Sequence, residues 1–531
     1  MAANRVLRRL VGLGVPLLPT GACAAVFVVS LIALSVNFGG LQPASVNVSI
    51  SVNASAAPIP APSWGVNVAA AHVFNTSDAQ LVAETPARVL RFPGGDFTEW
   101  LNWTSGLLTE PDGAVTRATT SLTEFVTACE SIRCEAILEL PAEIDEPATA
   151  AYYVAYTEKT LGFLPAYWEI GNEPSTWTHF DQPWSDWGSP GPKVSPSQYA
   201  VVVQQYIAAI RQIDPTTPIL GLAGAEESDL AAWIPPLLSL DGDQLAGISV
   251  HAYPAVPTPV LVSPVQYFSS LTDDQYSLPT VVPEYQSLLA SSCPNCSVGL
   301  FLTETGTSDG GTGAYAGYDS GFEGALYVAA EITQLLPQRI ENVDWFTFQG
   351  GYAGSWVTST AAPTPTFILM SRFVPELGSD YVPTTVTGFP NVYAAGTTTG
   401  SQAYALLVVN TNVASQVTFN LSRAGFSGPT VTALYWPDGS PAPTETSFRG
   451  TAVLARLSVA LLYQSGPPVS ARPVSETQLS LVGFGNPGAL VALAGVDIGV
   501  GAVIFLLTPS YWKSLGGAAG IVGLVLFLLV V

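Results

Sequence analysis

Positive charge is what this chain has least of. Its 531 residues hold 17 Lys and Arg against 40 Asp and Glu, a formal net charge of −23, and charged residues of both signs make up 11%. A chain so poor in cations argues against nucleic acid, and against any polyanion that must be held electrostatically. A neutral or lightly charged partner fits better. Cysteine is scarce as well, at five residues. Cys23 falls in an N-terminal apolar stretch, which leaves Cys129, Cys134, Cys293 and Cys296 at two short spacings that suggest two local disulfides. The Cys293-Pro294-Asn295-Cys296 pair has no further ligand-type residues nearby to complete a zinc site. No internal repeat is visible. Hydrophobic residues, by contrast, reach 48%, so core material is plentiful, and the length suits one large domain plus a smaller one.

The two ends of the chain are apolar. Arg5, Arg8 and Arg9 precede an apolar stretch from Leu10 to about Val36, the pattern of a signal anchor or signal peptide over residues 1–40. Two further apolar segments, Gly488–Leu507 and Leu515–Val531, approach the roughly 20 residues needed to span a bilayer. Residues 488–531 therefore read as C-terminal membrane segments, with a removable lipid-anchor signal as the alternative. This places the protein in the secretory pathway, membrane-anchored, with its bulk extracellular or lumenal. Six Asn-x-Ser/Thr sequons, at Asn47, Asn53, Asn75, Asn102, Asn295 and Asn420, suit an exported surface.

Between the ends the pattern is regular. Residues 41–61, rich in Ser, Ala and Pro, read as a stalk that contributes at most one strand to a β-domain. Eight apolar runs follow that read as buried strands: Trp64–Val68, Arg88–Phe92, Glu135–Leu140, Tyr167–Gly171, Ile219–Leu222, Gly247–His251, Gly299–Thr303 and Val343–Phe348. Helical patterns lie between most of them, the clearest being Pro196–Ile213, with Ser195 as its cap and Asp214-Pro215 ending it. Strands alternating with helices imply a parallel sheet with helices outside, and eight such units match an α/β fold of (β/α)8 barrel type over residues 62–370. From about Pro375 short β-type runs broken by Gly, Pro and Asn read as an antiparallel β-sandwich over 371–465, with 466–487 as linker.

Chemistry in such a barrel sits where strands end. Trp168-Glu169-Ile170-Gly171-Asn172-Glu173-Pro174 puts Glu173 just past the fourth strand, and Leu302-Thr303-Glu304-Thr305-Gly306 puts Glu304 at the end of the seventh. Two strand-end carboxylates that converge on one sugar are what glycoside hydrolysis requires, one to protonate the leaving oxygen and one to attack or activate water. Such chemistry needs no metal and no organic cofactor. Glu139 and Glu169 lie within strands, and Glu284 falls in an expected loop before the seventh strand. Trp168, Trp177, Tyr315, Trp345 and Tyr352 are candidate apolar platforms for sugar faces.

The Gly171–Pro174 motif resembles the Asn-Glu acid/base motif of clan A glycoside hydrolases, and within that clan the chain resembles family 79, the β-glucuronidases and heparanases. The likeness rests on Arg91-Phe92-Pro93-Gly94-Gly95, Glu169–Pro174, His251-Ala252-Tyr253, Thr303-Glu304-Thr305 followed by Gly310-Gly311, and Phe348-Gln349-Gly350-Gly351-Tyr352. It covers about residues 60–465. The resemblance implies Glu173 as acid/base, Glu304 as nucleophile, Asn172 on the sugar 2-hydroxyl, Tyr253 orienting Glu304, and His251 lining the site. Gly94, Gly95, Gly351, Tyr352 and Trp345 complete the substrate-binding set, with a carbohydrate as partner. No basic cluster of the kind heparanases use for sulfated chains stands near the expected loops, which argues against endo action on heparan. The expectation is thus an exo-acting β-glucuronidase, with a clan A β-glycosidase for a neutral sugar, or an inactive membrane-tethered glycan-binding protein, as the other readings.

Overall fold

The computed structural model describes residues 44–463, apart from 54–56, 111–112, 144–145, 179–192, 225–226, 255–262, 273–275, 308–317, 319–320, 351–353, 400–402 and 429. Both terminal apolar segments and the 466–487 linker lie outside the described residues. No described helix is long and apolar enough to cross a membrane.

Eight parallel strands close into a barrel. In chain order they are Ser63–Asn67, Val89–Phe92, Glu135–Leu140, Tyr167–Ile170, Ile219–Gly224, Gly247–Ala252, Gly299–Thr305 and Asn342–Trp345, each paired with its sequence neighbours and the eighth with the first. All eight expected runs are barrel strands, displaced by a few residues at their ends. Continuous apolar runs are the signature of strands covered on both faces, which is why they were legible.

The helices fall outside the barrel. Pro196–Arg211 begins as expected: Ser195 Oγ accepts the Gln198 N–H and Gln198 Oε1 accepts the Ser195 N–H, so two orphan donors of the first turn are satisfied. Phe322–Leu335 is buried at every residue from Gly324 to Leu335. It touches the barrel-side helix Pro365–Arg372 and also strands of the β-domain, so it has no solvent face and needs no polar stripe. Glu284, expected in a loop, lies instead in the helix Leu278–Ser292, whose Pro279 and Pro283 disguise it. Pro279 stands in the first turn, where the missing N–H would be unpaired anyway, whereas Pro283 lies inside the helix.

The second domain departs from expectation in its first strands and in one pairing. The presumed stalk supplies three strands: Ala44–Asn47, Ser49–Val52 and Ile59–Pro60. Ala44–Asn47 runs parallel to Ser415–Asn420, so the sheet is not wholly antiparallel. The strand Thr444–Arg449, absent from the sequence reading, meets Thr451–Leu454 through one residue pair. The ten-stranded sheet and a two-stranded sheet of Ser49–Val52 and Thr384–Thr387 enclose a core of Val48, Ile50, Leu406, Val417, Phe419, Val431 and Leu462. Trp436 joins the two domains, its ring lying 4.9 Å from that of Phe322.

Both expected disulfides are formed, Cys129–Cys134 and Cys293–Cys296. The first closes the turn between the helix Leu122–Ile132 and the third barrel strand. Of the six sequon asparagines, Asn102 is half-buried and the others are exposed.

Because Ile50 is fully buried within the β-domain core, Ile50→Ala is expected to destabilise that domain by about 2–5 kcal/mol in denaturant unfolding. Val453→Ala, at a position 43% exposed on the ten-stranded sheet of the same domain, is expected to change it by less than about 0.5 kcal/mol. Equal effects would mean that the N-terminal strands are not part of the fold.

Candidate active site

Strand alternation decides which side chains enter the barrel. Asn67, Arg91, Glu139, Glu169 and Asp344 are all fully buried and meet inside it. Arg91 has five N–H donors, and each has an acceptor. Nε donates to Glu169 Oε2 at 2.6 Å. Nη1 donates to Asn67 Oδ1 at 2.8 Å and to Glu304 Oε1 at 2.7 Å. Nη2 donates to Asn172 Oδ1 at 3.0 Å and contacts Glu139 Oε1 at 2.5 Å. The network is rich in carboxyls for one guanidinium. Burial pushes Glu139 and Asp344 up, each to about 8, with Arg91 opposing in both cases. Gly65 belongs to this layer, since a Cβ there would lie 1.8 Å from Asp344 Oδ1.

Glu304 reaches the cleft through a bulge. The pairing of the sixth and seventh strands shifts after Val250–Leu302, which sets His251 opposite Glu304. A bulge re-aims a side chain in this way. One oxygen of Glu304 is held by Arg91, and the other accepts the Tyr253 hydroxyl at 2.7 Å. Burial, and the Glu173 carboxylate after it, raise the pKa of Glu304, while His251, Arg91 and Tyr253 draw it down. His251 itself is pushed down to about 4 by burial and is neutral above that pH. The opposing pull at neutral pH therefore comes from Arg91 and Tyr253.

Glu173 sits on a left-handed turn. Gly171 has φ +72° and Glu173 φ +46°, a conformation that costs a non-glycine residue energy and clusters at functional sites. A Cβ on Gly171 would meet the Trp177 ring at 2.7 Å. The turn is held by Glu99, whose Oε1 accepts the Asn172 N–H at 2.9 Å, while its Oε2 accepts the Ala142 and Glu143 N–H groups at 2.8 Å each. Glu173 Oε1 lies 2.7 Å from His251 Nδ1. Its side chain is 21% exposed against 5% for Glu304, so the two carboxylates differ in access to water. One ligand-type atom each of Glu173, His251 and Glu304 lies within 4.8 Å of the other two. A divalent cation would fit that spacing, but the Arg91 guanidinium already seated on Glu304 opposes one.

The expected residues are thus largely brought together: Glu173, Glu304, Asn172, His251 and Tyr253 form one cluster. Gly94 and Gly95 belong to it, with φ +80° and +63°. The Gly94 N–H donates to Glu139 Oε2 at 2.7 Å, and a Cβ on Gly95 would lie 3.1 Å from the Phe346 ring and 3.4 Å from Glu304 Oε1. Trp345 is a correction. Asp344 points into the barrel, so Trp345 points outward and is fully buried in the main core, with no face open to a sugar. Trp168 and Trp177 are buried as well, their indole N–H groups donating to Asp214 and to the Asn172 carbonyl. Gly351, Tyr352, Tyr315, Gly310 and Gly311 lie outside the described residues. The partly exposed aromatic beside Glu304 is Phe346, which the sequence reading passed over. It also missed Asn67, Asp96, Glu99 and the role of Arg91. A charged residue at an inward position of an apolar strand, as in Val89-Leu90-Arg91-Phe92, was the available signal.

The class that fold defines is the (β/α)8 barrel with an attached β-domain, as found in glycoside hydrolases of several families. The chain is similar in structure to the family 51 arabinofuranosidase from Xanthomonas axonopodis pv. citri, at TM-score 0.63 and 12% identity over 79% of this chain and 100% of that one. A family 51 α-L-arabinofuranosidase from Bifidobacterium longum matches at 0.61 and 16%, over 80% and 100%. A Paenibacillus polymyxa xyloglucanase from family 44 matches at 0.59 and 12%, over 79% and 100%. No protein-family model matches the sequence, and no curated protein matches it.

With burial holding His251 at about 4, against about 6.5 for a free imidazole, its ring is expected to stay neutral at pH 5.5. Imidazole NMR shifts check this. A ring that titrates near 6.5 would mean that the pocket is open to water. The sign for stability follows: between these values the unfolded chain binds the extra proton, so this group's contribution is lost as pH falls from about 6.5 to about 4.

Proposed function

We propose that the protein is a retaining glycoside hydrolase. The observation that carries this reading is the pairing of Glu173 and Glu304 at the ends of the fourth and seventh barrel strands, with oxygens within 4.8 Å of each other. Carboxyl groups about 5–5.5 Å apart leave no room for a water between them and the sugar, which favours direct attack by one of them. Glu304, buried and clamped by Arg91 and Tyr253, attacks the anomeric carbon while Glu173 gives its proton to the departing oxygen. The glycosyl ester on Glu304 is then cleaved by a water that loses a proton to Glu173, and Glu304 leaves as carboxylate. Asn172, held by Arg91 on one side, keeps an amide N–H for a sugar hydroxyl. An inactive glycan-binding protein would have no need for two carboxylates at this spacing.

For the sugar, the resemblance to family 79 supports an exo-acting β-glucuronidase of extracellular or cell-surface glycans, on a protein tethered to the membrane by its apolar ends. A neutral β-glycoside is the second reading, and one observation favours it. Arg91 is the cation at the centre of the site, and none of its five donors is left for a uronate carboxylate.

Aryl β-glucuronide and aryl β-glucoside, offered in parallel, separate these readings. Turnover with retained anomeric configuration by NMR is expected. Glu304→Gln should abolish it, and Glu173→Gln should lower it about 10²–10⁴-fold. Inverted product, or full activity in Glu304→Gln, would contradict the mechanism. Arg91→Lys, which keeps the charge but offers three donors to five acceptors, should lose activity even where the protein still folds.

A further inference from the structure

One helix reaches the end of the fourth barrel strand with a side chain to which the mechanism above gives no task. Tyr199 lies near the start of Pro196–Arg211 and is fully buried. Its hydroxyl stands between the fourth and fifth strands, donating to the Ile170 carbonyl and accepting the Leu222 N–H, both at 2.7 Å. The pairing of these strands runs from Trp168–Ile219 to Ile170–Gly221 and stops there. Leu222, the next residue, has φ +90°, and the pairing of the fifth strand with the sixth shifts between Leu222 and Gly224. The hydroxyl therefore secures the join at the point where the ladder ends. The Tyr199 ring packs edge-on against Trp177 and Trp233, with centroids 5.8 and 5.9 Å away.

We propose that Tyr199, with the Trp177 ring it backs, is a positioning residue that acts through Glu173. The inference rests on the glycosidase reading. Ile170 ends the fourth strand, three residues before Glu173. The peptide group between Ile170 and Gly171 is held at both ends, its carbonyl by Tyr199 and its N–H by the Leu140 carbonyl at 2.8 Å. The Asn172 carbonyl is held by the Trp177 indole N–H at 2.6 Å, and Trp177 rests on Tyr199. One side chain thus supports the turn at two points, directly at its root and through Trp177 at its middle. Gly171 and Glu173 are both left-handed, and for a non-glycine residue that conformation persists only where the surroundings over-determine it. Without the hydroxyl, the Ile170 carbonyl and the Leu222 N–H lose their shared partner and the root of the turn is free to shift. Glu304 stands on the seventh strand with its own clamps, Arg91 and Tyr253. The shift therefore falls on proton transfer rather than on attack, and a displacement of about 1 Å can cost a step about 10²-fold.

A leaving group that needs no proton separates this role from a merely structural one. Phenyl and dinitrophenyl β-glycosides are compared, of the sugar, glucuronic acid or glucose, that the wild type cleaves. Tyr199→Phe keeps the ring and removes the hydroxyl. Its kcat/KM is expected to fall about tenfold on the phenyl glycoside and to stay within about twofold on the dinitrophenyl one. Trp177→Phe, which removes the indole N–H from the Asn172 carbonyl, should show the same selectivity, and it decides the matter if Tyr199→Phe does not fold. Tyr404→Phe is the control: it removes a hydroxyl bond of 2.8 Å to the Ala424 carbonyl in the β-domain and should leave the ratio of the two substrates at the wild-type value. Equal losses on both substrates, no loss on either, or the same selectivity in Tyr404→Phe would overturn the inference alone. A wild type that cleaves no glycoside would overturn the glycosidase reading and this inference with it.

Discussion

The buried guanidinium of Arg91 is the constraint on which the site depends. A charge with no exposure is tolerable only when it is paired and its donors are satisfied. Here the five acceptors come from five separate places in the chain: Asn67, Glu139, Glu169, Asn172 and Glu304. Four of them stand on barrel strands or at their ends, and Asn172 is part of the turn that carries Glu173. Satisfying Arg91 therefore fixes the relative positions of strands one, two, three, four and seven. The same act seats one oxygen of Glu304 and one face of Asn172. Removing one partner from such a cluster strands buried charge, at a cost of about 3–5 kcal/mol, so folding and site geometry are enforced together.

Above this layer two glutamates tie the loops of the active face to one another. Glu139 connects Arg91 to the Gly94–Thr98 loop, and Glu99 on that loop's short helix reaches across to the backbone after strands three and four. The left-handed Glu173 is stable only because the turn that carries it is bonded on both sides, by Glu99 to its amide and by Trp177 to its carbonyl. Glu304 is nearly buried and Glu173 is partly exposed; Arg91 and Tyr253 hold the first, and His251 lies 2.7 Å from the second and 3.6 Å from the first. That division suits a nucleophile and a proton carrier.

Much of this was legible in the sequence, and the failures have physical reasons. Strands covered on both faces write themselves as apolar runs, so all eight barrel strands could be read. Ser195 with Gln198 marked a helix start, and the cysteine spacings marked two bridges. The strand Thr444–Arg449 could not be seen, because it lies exposed on alternate residues and is built from Thr, Glu and Ser. The first strands hide in a Ser- and Ala-rich stretch, since they are made by pairing with residues more than 300 positions away. Trp345 was misjudged because an apolar run does not disclose its parity, and parity alone decides which of Asp344, Trp345 and Phe346 faces the site. Glu139 and Glu169 were set aside as strand residues, which they are. Their purpose is visible only once Arg91 lies between them.

The neighbouring structures share this fold at 12–16% identity, so the chemistry assigned to Glu304 has to stand on the site itself. Trapping is the most direct test. Incubation with a 2-deoxy-2-fluoro glycosyl fluoride of the cleaved sugar should add one glycosyl unit to the intact mass, and peptide mapping should place it on Glu304. An adduct on another residue, or turnover of the true substrate with no adduct formed, would contradict the assignment of Glu304 as the nucleophile that Arg91 holds in place.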